Sequence, residues 1–126
     1  MTKTQPTVLV VDDNRDMLVC IQMVLSSSYR VIGAENGEEG ISQAMAVQPT
    51  VILSDLNMPG MMGDEMISEI RQQPALAKVP VIMITGRSDA AARSRITAAN
   101  ANDLLLKPFS VDELKEKVRY WVSHAA

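Results

Sequence analysis

The chain has 126 residues, of which 47% are hydrophobic and 21% charged, and its formal net charge at pH 7 is −3. That length predicts one compact domain and excludes a multidomain enzyme. Direct nucleic acid binding is not expected, because the sequence has no basic run that could neutralise several phosphates. A single cysteine, Cys20, and the lack of any apolar run near the roughly 20 residues of a membrane span predict a cytoplasmic protein with no membrane segment.

Short runs rich in valine, isoleucine and leucine recur along the chain, with helical segments between them. They lie at residues 8–11, 31–32, 51–53, 81–84 and 104–106. Runs that are apolar throughout are typical of parallel strands covered by helices on both faces. The sequence therefore predicts an α/β fold of five βα units: a five-stranded parallel sheet flanked by helices in a doubly wound, flavodoxin-like arrangement.

The apolar residues between these runs recur about every 3.6 positions, which is the period of an α-helix. Ser110 and Glu113 have the spacing of a capping box at the start of the last helix. The clearest apolar stripes, in the first and last helices, are formed by Met17, Leu18, Ile21, Val24 and Leu25, and by Val111, Leu114, Val118, Trp121 and Val122.

Polar residues follow four of the five predicted strands. They are Asp12 and Asp13 after the first strand, Asp55 after the third, Thr85 after the fourth and Lys107 after the fifth. The carboxyl ends of parallel strands meet at one edge, where open α/β sheets bind ligands, so these side chains should converge. Three carboxylates repel one another unless a cation offsets their charge. Mg²⁺ suits such oxygen ligands, and Lys107 would add a fixed positive charge.

The predicted cluster suits a phosphoryl group, because Mg²⁺ held by one or two carboxylates usually completes its shell with water and phosphate oxygens. An aspartate can be the nucleophile and form an aspartyl phosphate, while the metal and a lysine stabilise the transferring oxygens. Thr85 would donate its hydroxyl to one of those oxygens. The other nucleophiles lie elsewhere, since Cys20 falls inside the first helix and His124 in the tail.

Four motifs, each following a predicted strand, occur in a recognisable order. They are VVDDN at residues 10–14, DLNMPGMMG at residues 55–63, ITG at residues 84–86 and KPF at residues 107–109. In these motifs the chain resembles the receiver domain of two-component response regulators, over essentially its full length. We therefore expect residues 1–126 to be one receiver domain with no effector domain in this chain.

The resemblance implies specific roles for the acidic residues. Asp55 would accept a phosphoryl group from the phosphohistidine of a sensor histidine kinase or a histidine phosphotransfer protein. Mg²⁺ would be bound by Asp13, Asp55 and the backbone carbonyl of Asn57, with Asp12 supporting the ion, often through water. The protein would then be a signalling switch that gains and loses its own phosphoryl group, rather than a turnover enzyme.

The resemblance also implies how the signal leaves the site. Thr85 and Lys107 would hold the phosphoryl oxygens, and the Lys107–Pro108 peptide would be cis. Thr85 and Lys107 would be drawn inward by the added negative charge, which changes the surface of the fourth helix, fifth strand and fifth helix. The expected recipient is a downstream protein or a missing effector domain, and the chain is expected to be a monomer or a phosphorylation-dependent dimer.

The chain departs from the family pattern in two respects, at Leu104 and at Arg87 with Asn57. Leu104 occupies the place, three residues before Lys107, where the family has an aromatic residue that swings between exposed and buried rotamers. Arg87 and Asn57 stand at two positions that border the path of the hydrolytic water in the family, so they should tune the lifetime of the aspartyl phosphate. Arg93 and Arg95 are expected on a solvated face of the fourth helix.

The main alternative is a small aspartate-nucleophile phosphohydrolase. Those enzymes carry a second acid two positions after the nucleophile, as the general acid. Here Asp12 is followed at that offset by Asn14, and Asp55 by Asn57. A nucleotide-binding module ranks lower, because the glycines of the third loop match neither common phosphate-binding pattern.

Overall fold

Strands and helices alternate along residues 5–125, the part of the chain that the computed structural model describes. Their bounds in chain order are β1 Thr7–Val11, α1 Arg15–Leu25, β2 Arg30–Ala34, α2 Gly37–Val47, β3 Val51–Asp55, α3 Gly63–Arg71, β4 Val81–Thr85, α4 Ala90–Ala98, β5 Asp103–Leu106 and α5 Val111–Ser123. A one-turn 3₁₀ helix, Pro74–Leu76, lies between α3 and β4. All five strands are parallel and lie in the order β2-β1-β3-β4-β5, which confirms the predicted fold class.

The strands are slightly longer than predicted, and this changes the setting of two predicted site residues. Asp55 and Thr85 are the last residues of β3 and β4, whereas the sequence placed both of them after the strands. The sheet pairing continues to these positions, with Asp55 opposite Ile84 and Thr85 opposite Leu106. The sheet itself therefore fixes the backbone of both residues.

Two apolar clusters fill the space on the two faces of the sheet. Successive strand side chains point to opposite faces, so Leu9 belongs to one cluster and Val10 to the other. Helices α2, α3 and α4 pack on the first face, and α1 and α5 on the second. The predicted stripes are confirmed except at Val111, which is 49% exposed because the buried face of α5 begins one turn later, at Leu114.

The strand order places a topological switch point between β1 and β3. The chain builds outward from β1 to β2 on one side and then to β3, β4 and β5 on the other. The connections after β1 and β3 therefore diverge and leave a crevice at the carboxyl ends of these strands. Asp12 follows β1 and Asp55 ends β3, so both lie at this crevice.

Arg71, at the end of α3, ties together the loops at the opposite edge of the sheet. Its guanidinium donates hydrogen bonds to the carbonyl oxygens of Val79 at 2.6 Å and Asn100 at 2.9 Å, and to the side chain of Asn102 at 2.8 Å. The same Asn102 oxygen accepts a hydrogen bond from the backbone N–H of Val81 at 2.8 Å. One side chain thus joins α3 to the start of β4 and to the connection before β5.

Gly63, the first residue of α3, lies against the backbone of Asp55. Its N–H donates a hydrogen bond to the carbonyl of Leu56 at 2.8 Å. A Cβ atom at position 63 would lie 2.0 Å from the carbonyl oxygen of Asp55. The helix can begin this close to the end of β3 only because glycine has no side chain.

We expect Gly63→Ala to lower the free energy of unfolding by about 1–3 kcal/mol or more, because the added methyl group meets rigid backbone and forces the start of α3 away from β3. Gly86→Ala is the matched control, since a Cβ atom there has no heavy atom within 4 Å. The control should change stability by no more than about 0.5 kcal/mol. Urea denaturation of both variants measures the difference, and equal midpoints would contradict the close approach.

Candidate functional site

Three carboxylates meet at the crevice between β1 and β3. One oxygen from each of Asp12, Asp13 and Asp55 lies within 4.8 Å of the other two. Asp12 is 1% exposed and Asp55 9% exposed, whereas Asp13 is open to solvent. The structure therefore brings the three predicted acids together, two of them inside the protein and one at its rim.

Lys107 reaches the two buried acids from the end of β5. Its Nζ lies 3.5 Å from Oδ2 of Asp55 and 3.7 Å from Oδ2 of Asp12. The backbone N–H of Lys107 donates a hydrogen bond to the carbonyl of Thr85 at 2.9 Å, which fixes the lysine beside the end of β4. The Lys107–Pro108 peptide is cis, as the resemblance implies. One ammonium group thus faces two buried carboxylates.

The carboxylates of the cluster carry more negative charge than the ammonium group of Lys107 offsets. Burial raises the pKa of Asp12, and the hydrogen bond from the Asn14 N–H and the charge of Lys107 only partly offset it. Burial also raises the pKa of Asp55, with Lys107 opposing the rise and the charges of Asp12 and Asp13 adding to it. The site therefore favours an additional positive charge.

The donor set fits a hard divalent cation. Oδ1 of Asp12 accepts a hydrogen bond from the Asn14 N–H at 2.9 Å, but the buried Oδ2 of Asp12 accepts none. A buried acceptor without a partner is costly, and a cation beside it would remove that cost. The clustered ligand atoms are all carboxylate oxygens, which suit Mg²⁺ and not a thiolate-preferring metal. Asp12, Asp13 and Asp55 are the residues that could hold it.

Thr85 and Asn57 complete the set of predicted site residues. Thr85 is fully buried, and its Oγ1 accepts a hydrogen bond from the Arg87 N–H at 3.0 Å, which leaves the hydroxyl able to donate its own proton. Asn57 follows β3 in the loop before α3, with its side chain exposed. The ligand role of its carbonyl oxygen stays a prediction.

The two departures from the family pattern have defined surroundings. Leu104 lies within β5 opposite Met83 and is partly buried against the cluster under α2, α3 and α4. The guanidinium of Arg87 pairs with the carboxylate of Asp89 through two contacts of 3.2 Å. One oxygen of Asp89 also accepts a hydrogen bond from the Ala92 N–H at 2.9 Å and so caps α4. Arg87 is therefore attached to the start of α4.

Arg95 lies on the exposed side of α4, as expected, but its side chain is ion-paired and only 29% exposed rather than free in solvent. Its Nη2 and Nε donate hydrogen bonds to the two carboxylate oxygens of Asp64 at 2.7 and 3.0 Å. The hydrogen bonds from Arg95 outweigh partial burial and lower the pKa of Asp64. No spacing rule indicates this pair, because Asp64 belongs to α3 and Arg95 to α4, and only the packing of the two helices brings them together.

The chain is similar to known proteins in both sequence and structure. A family model described as the response regulator receiver domain matches residues 8–119. The sensor histidine kinase TmoS of Ectopseudomonas mendocina is 34% identical over 119 residues, which are 94% of this chain and 12% of that protein. Two transcriptional regulatory proteins also match, and the chain spans 52% and 53% of their lengths. The chain thus spans only part of each of these relatives.

Two solved structures are similar over nearly their whole length. The chemotaxis protein CheY4 of Vibrio cholerae superposes with a TM-score of 0.89 at 29% identity, over 93% of this chain and 98% of that one. The receiver domain of the sensor histidine kinase PA1611 of Pseudomonas aeruginosa gives a TM-score of 0.89 at 30% identity, over 95% and 99% of the two chains. That structure has a magnesium ion coordinated in its active site cleft.

None of the helices within residues 5–125 has both the length and the apolar character that crossing a membrane requires.

We expect Asp12→Asn to stabilise the metal-free protein at pH 7. Folding raises the pKa of Asp12, so ionisation at neutral pH costs folding free energy, about 1.4 kcal/mol for each unit of the rise. The cost is absent below the unfolded value of about 3.9, grows up to the raised folded value and is constant above it.

Thermal or urea denaturation in EDTA between pH 4.5 and pH 7 measures this effect. The advantage of Asp12→Asn should shrink as the pH falls. Asp13→Asn, which removes the same charge from a solvent-exposed carboxylate, should have a smaller effect. Loss of stability in Asp12→Asn at pH 7 would contradict the charge imbalance.

Proposed function

The chain belongs to the response regulator receiver domain family, and on that premise we propose that it acts in phosphorelay signal transduction with Asp55 as its phosphoacceptor. The observation that carries the proposal is the convergence of Asp12, Asp13 and Asp55 with Lys107 at the switch point of the sheet. The Lys107 Nζ lies 3.5 Å from Oδ2 of Asp55, slightly closer than the 3.7 Å to Oδ2 of Asp12. We propose that its phosphoryl donor is the phosphohistidine of a histidine kinase or of a histidine phosphotransfer protein.

We propose that Asp13, Asp55 and the backbone carbonyl of Asn57 hold Mg²⁺, with Asp12 supporting the ion. The support is the buried Oδ2 of Asp12, which has no hydrogen-bond partner and faces Lys107 only at 3.7 Å, together with the oxygen-only donor set. When bound, Mg²⁺ supplies positive charge to the oxygens of the phosphoryl group. The protein's own contribution is to hold the carboxylates in place on the sheet, so that little reorganisation is needed when a donor arrives.

The transfer step forms one bond and breaks one bond. A carboxylate oxygen of Asp55 attacks the phosphorus, the P–N bond to the donor imidazole breaks, and the imidazole leaves with its electron pair and takes up a proton. The product is an acyl phosphate on Asp55. The Lys107 ammonium stabilises the charge on the transferring oxygens, and the Thr85 hydroxyl donates a hydrogen bond to one of them.

The acyl phosphate carries close to two negative charges at the end of β3, where the Asp55 carboxylate carried one. Thr85 and Lys107 turn toward this charge, and the connection after β4 follows because the Arg87 N–H is bonded to the Thr85 hydroxyl. The surface formed by α4, β5 and α5 is the output surface. Leu104 has no polar tip and no ring, so the response passes through the loop after Thr85 and through α4 rather than through an aromatic rotamer.

We propose that the protein is a switch that acts through contacts with other proteins. Its phosphoryl source is a sensor histidine kinase or a histidine phosphotransfer protein, and its target is a downstream protein or an effector domain. The regulatory relatives support an effector as the recipient, and the kinase relatives support a relay. The exposed free thiol of Cys20 fits a reducing compartment, and we expect the reaction to take place in the cytoplasm.

Incubation with acetyl phosphate and Mg²⁺ should add about 80 Da to the intact mass of the protein. The gain should disappear in Asp55→Asn and in EDTA, and Asp16→Asn, which alters an exposed acid of α1, should retain it. Equal gain after Asp55→Asn would contradict the assignment. Release of many equivalents of nitrophenol from a chromogenic phosphate monoester would instead favour the aspartate-nucleophile phosphohydrolase.

We expect Arg87→Ala to change the rate at which the aspartyl phosphate is lost by about threefold or more, or about 0.7 kcal/mol in activation free energy. The variant removes the ion pair with Asp89 and opens the loop that follows Thr85. Arg93→Ala is the control, because Arg93 bonds only to the Ser88 carbonyl among the described residues. Identical decay of the label in Arg87→Ala and wild type would refute the expectation.

A further inference from the structure

Helix α4 has few apolar attachments to the rest of the protein. It is nine residues long, and its buried residues are Ala92 and Ile96. Its sequence is rich in alanine and carries polar side chains on most of its surface. The position of α4 therefore depends strongly on polar contacts, of which the bidentate pair between Arg95 and Asp64 joins it directly to α3.

The pair of Asp64 and Arg95 is stronger than an ordinary surface ion pair. Both carboxylate oxygens accept a hydrogen bond, at 2.7 and 3.0 Å, in the fork geometry that arginine offers. The two side chains are only 18% and 29% exposed, so solvent screens them less than it screens exposed pairs. Glu65 adds a second negative charge that favours the charged form of Arg95.

Asp64 is also coupled to the proposed phosphoacceptor through the backbone. It follows Gly63, which lies so close to the carbonyl oxygen of Asp55 that a Cβ atom would not fit between them. Gly63 is bonded through its N–H to the carbonyl of Leu56, the residue after Asp55. A displacement of the peptide after Asp55 therefore moves the first turn of α3, and with it the carboxylate of Asp64.

We propose that Asp64 and Arg95 are a positioning pair that transmits the change at Asp55 to α4. This inference rests on the proposed function and adds to it a second route, through the first turn of α3, beside the route through Thr85 and Arg87. The ion pair between α3 and α4 thereby couples Asp55 to α4. It supplies part of the coupling that an aromatic residue at position 104 would provide and that Leu104 cannot.

A static brace and a transmitting pair have different consequences. A brace would change the stability of the protein without changing how α4 responds to an anion at Asp55. A transmitting pair must by linkage also change the affinity of the site for that anion, because coupling between two sites is reciprocal. Anion affinity and the response of α4 are therefore the readouts that separate the two.

The test uses beryllofluoride with Mg²⁺ as the probe for a phosphoryl group at Asp55. Amide hydrogen exchange over residues 90–98 and the dissociation constant of beryllofluoride are measured for wild type, Asp64→Asn and Arg95→Gln. Arg93→Gln, on the same helix, is the matched control. A fourth variant carries the exchanged pair, Asp64→Arg with Arg95→Asp, and tests for rescue.

We expect wild type and Arg93→Gln to show a change in exchange over residues 90–98 on adding the probe. In Asp64→Asn and in Arg95→Gln that change should be lost or much reduced, and the dissociation constant should shift by about fivefold, the lower end of typical coupling. The exchanged pair should recover part of the response. If Asp64→Asn does not fold, Arg95→Gln alone decides the question, since Arg95 lies on an otherwise exposed part of α4.

An unchanged response of residues 90–98 together with an unchanged dissociation constant in the folded variants would overturn the transmitting role and leave a brace. Failure of wild type itself to bind beryllofluoride with Mg²⁺ would overturn the proposed function, and the inference with it. These two failures are distinguishable, because the first requires normal probe binding by wild type.

Discussion

Two buried carboxylates that share one ammonium group are the feature on which the rest of the structure depends. Asp12 and Asp55 lie almost entirely inside the protein, and Lys107 approaches both without forming a close hydrogen bond to either. Folding alone would not favour such an arrangement, since burial of incompletely paired charge is costly. The apolar clusters on the two faces of the sheet supply that free energy, and the excess of negative charge at the crevice favours an additional cation there.

The sequence was sufficient to predict the parts of the molecule that follow from local pattern. Apolar runs indicate all five strands, and the parallel arrangement alone predicts that Asp12, Asp55 and Lys107 lie at one edge of the sheet. The capping box of Ser110 and Glu113 is present at the start of α5. These features depend on residue type and spacing, which a single sequence contains. Strand ends were less well predicted, because pairing with a neighbour decides where a strand stops.

Contacts between residues far apart in the chain could not be predicted in this way. Arg71 reaches residues 79 and 100–102, and Arg95 meets Asp64 across 31 positions. The requirement for glycine at position 63 depends on the distance to the backbone of Asp55. Each of these is set by how helices pack on the sheet, and a polar residue on a helix gives no signal of which distant partner it will meet.

A titration with Mg²⁺, followed through the carboxyl ¹³C resonances of the aspartates, tests most directly whether the three acids form one cation site. We expect the signals of Asp12, Asp13 and Asp55 to shift together and to saturate at one ion per chain, while Asp103, whose carboxylate is bonded to Trp121 and Lys117, stays unchanged. Saturable binding that leaves the Asp12 and Asp55 signals in place would show that the buried charge of the crevice is compensated in some other way.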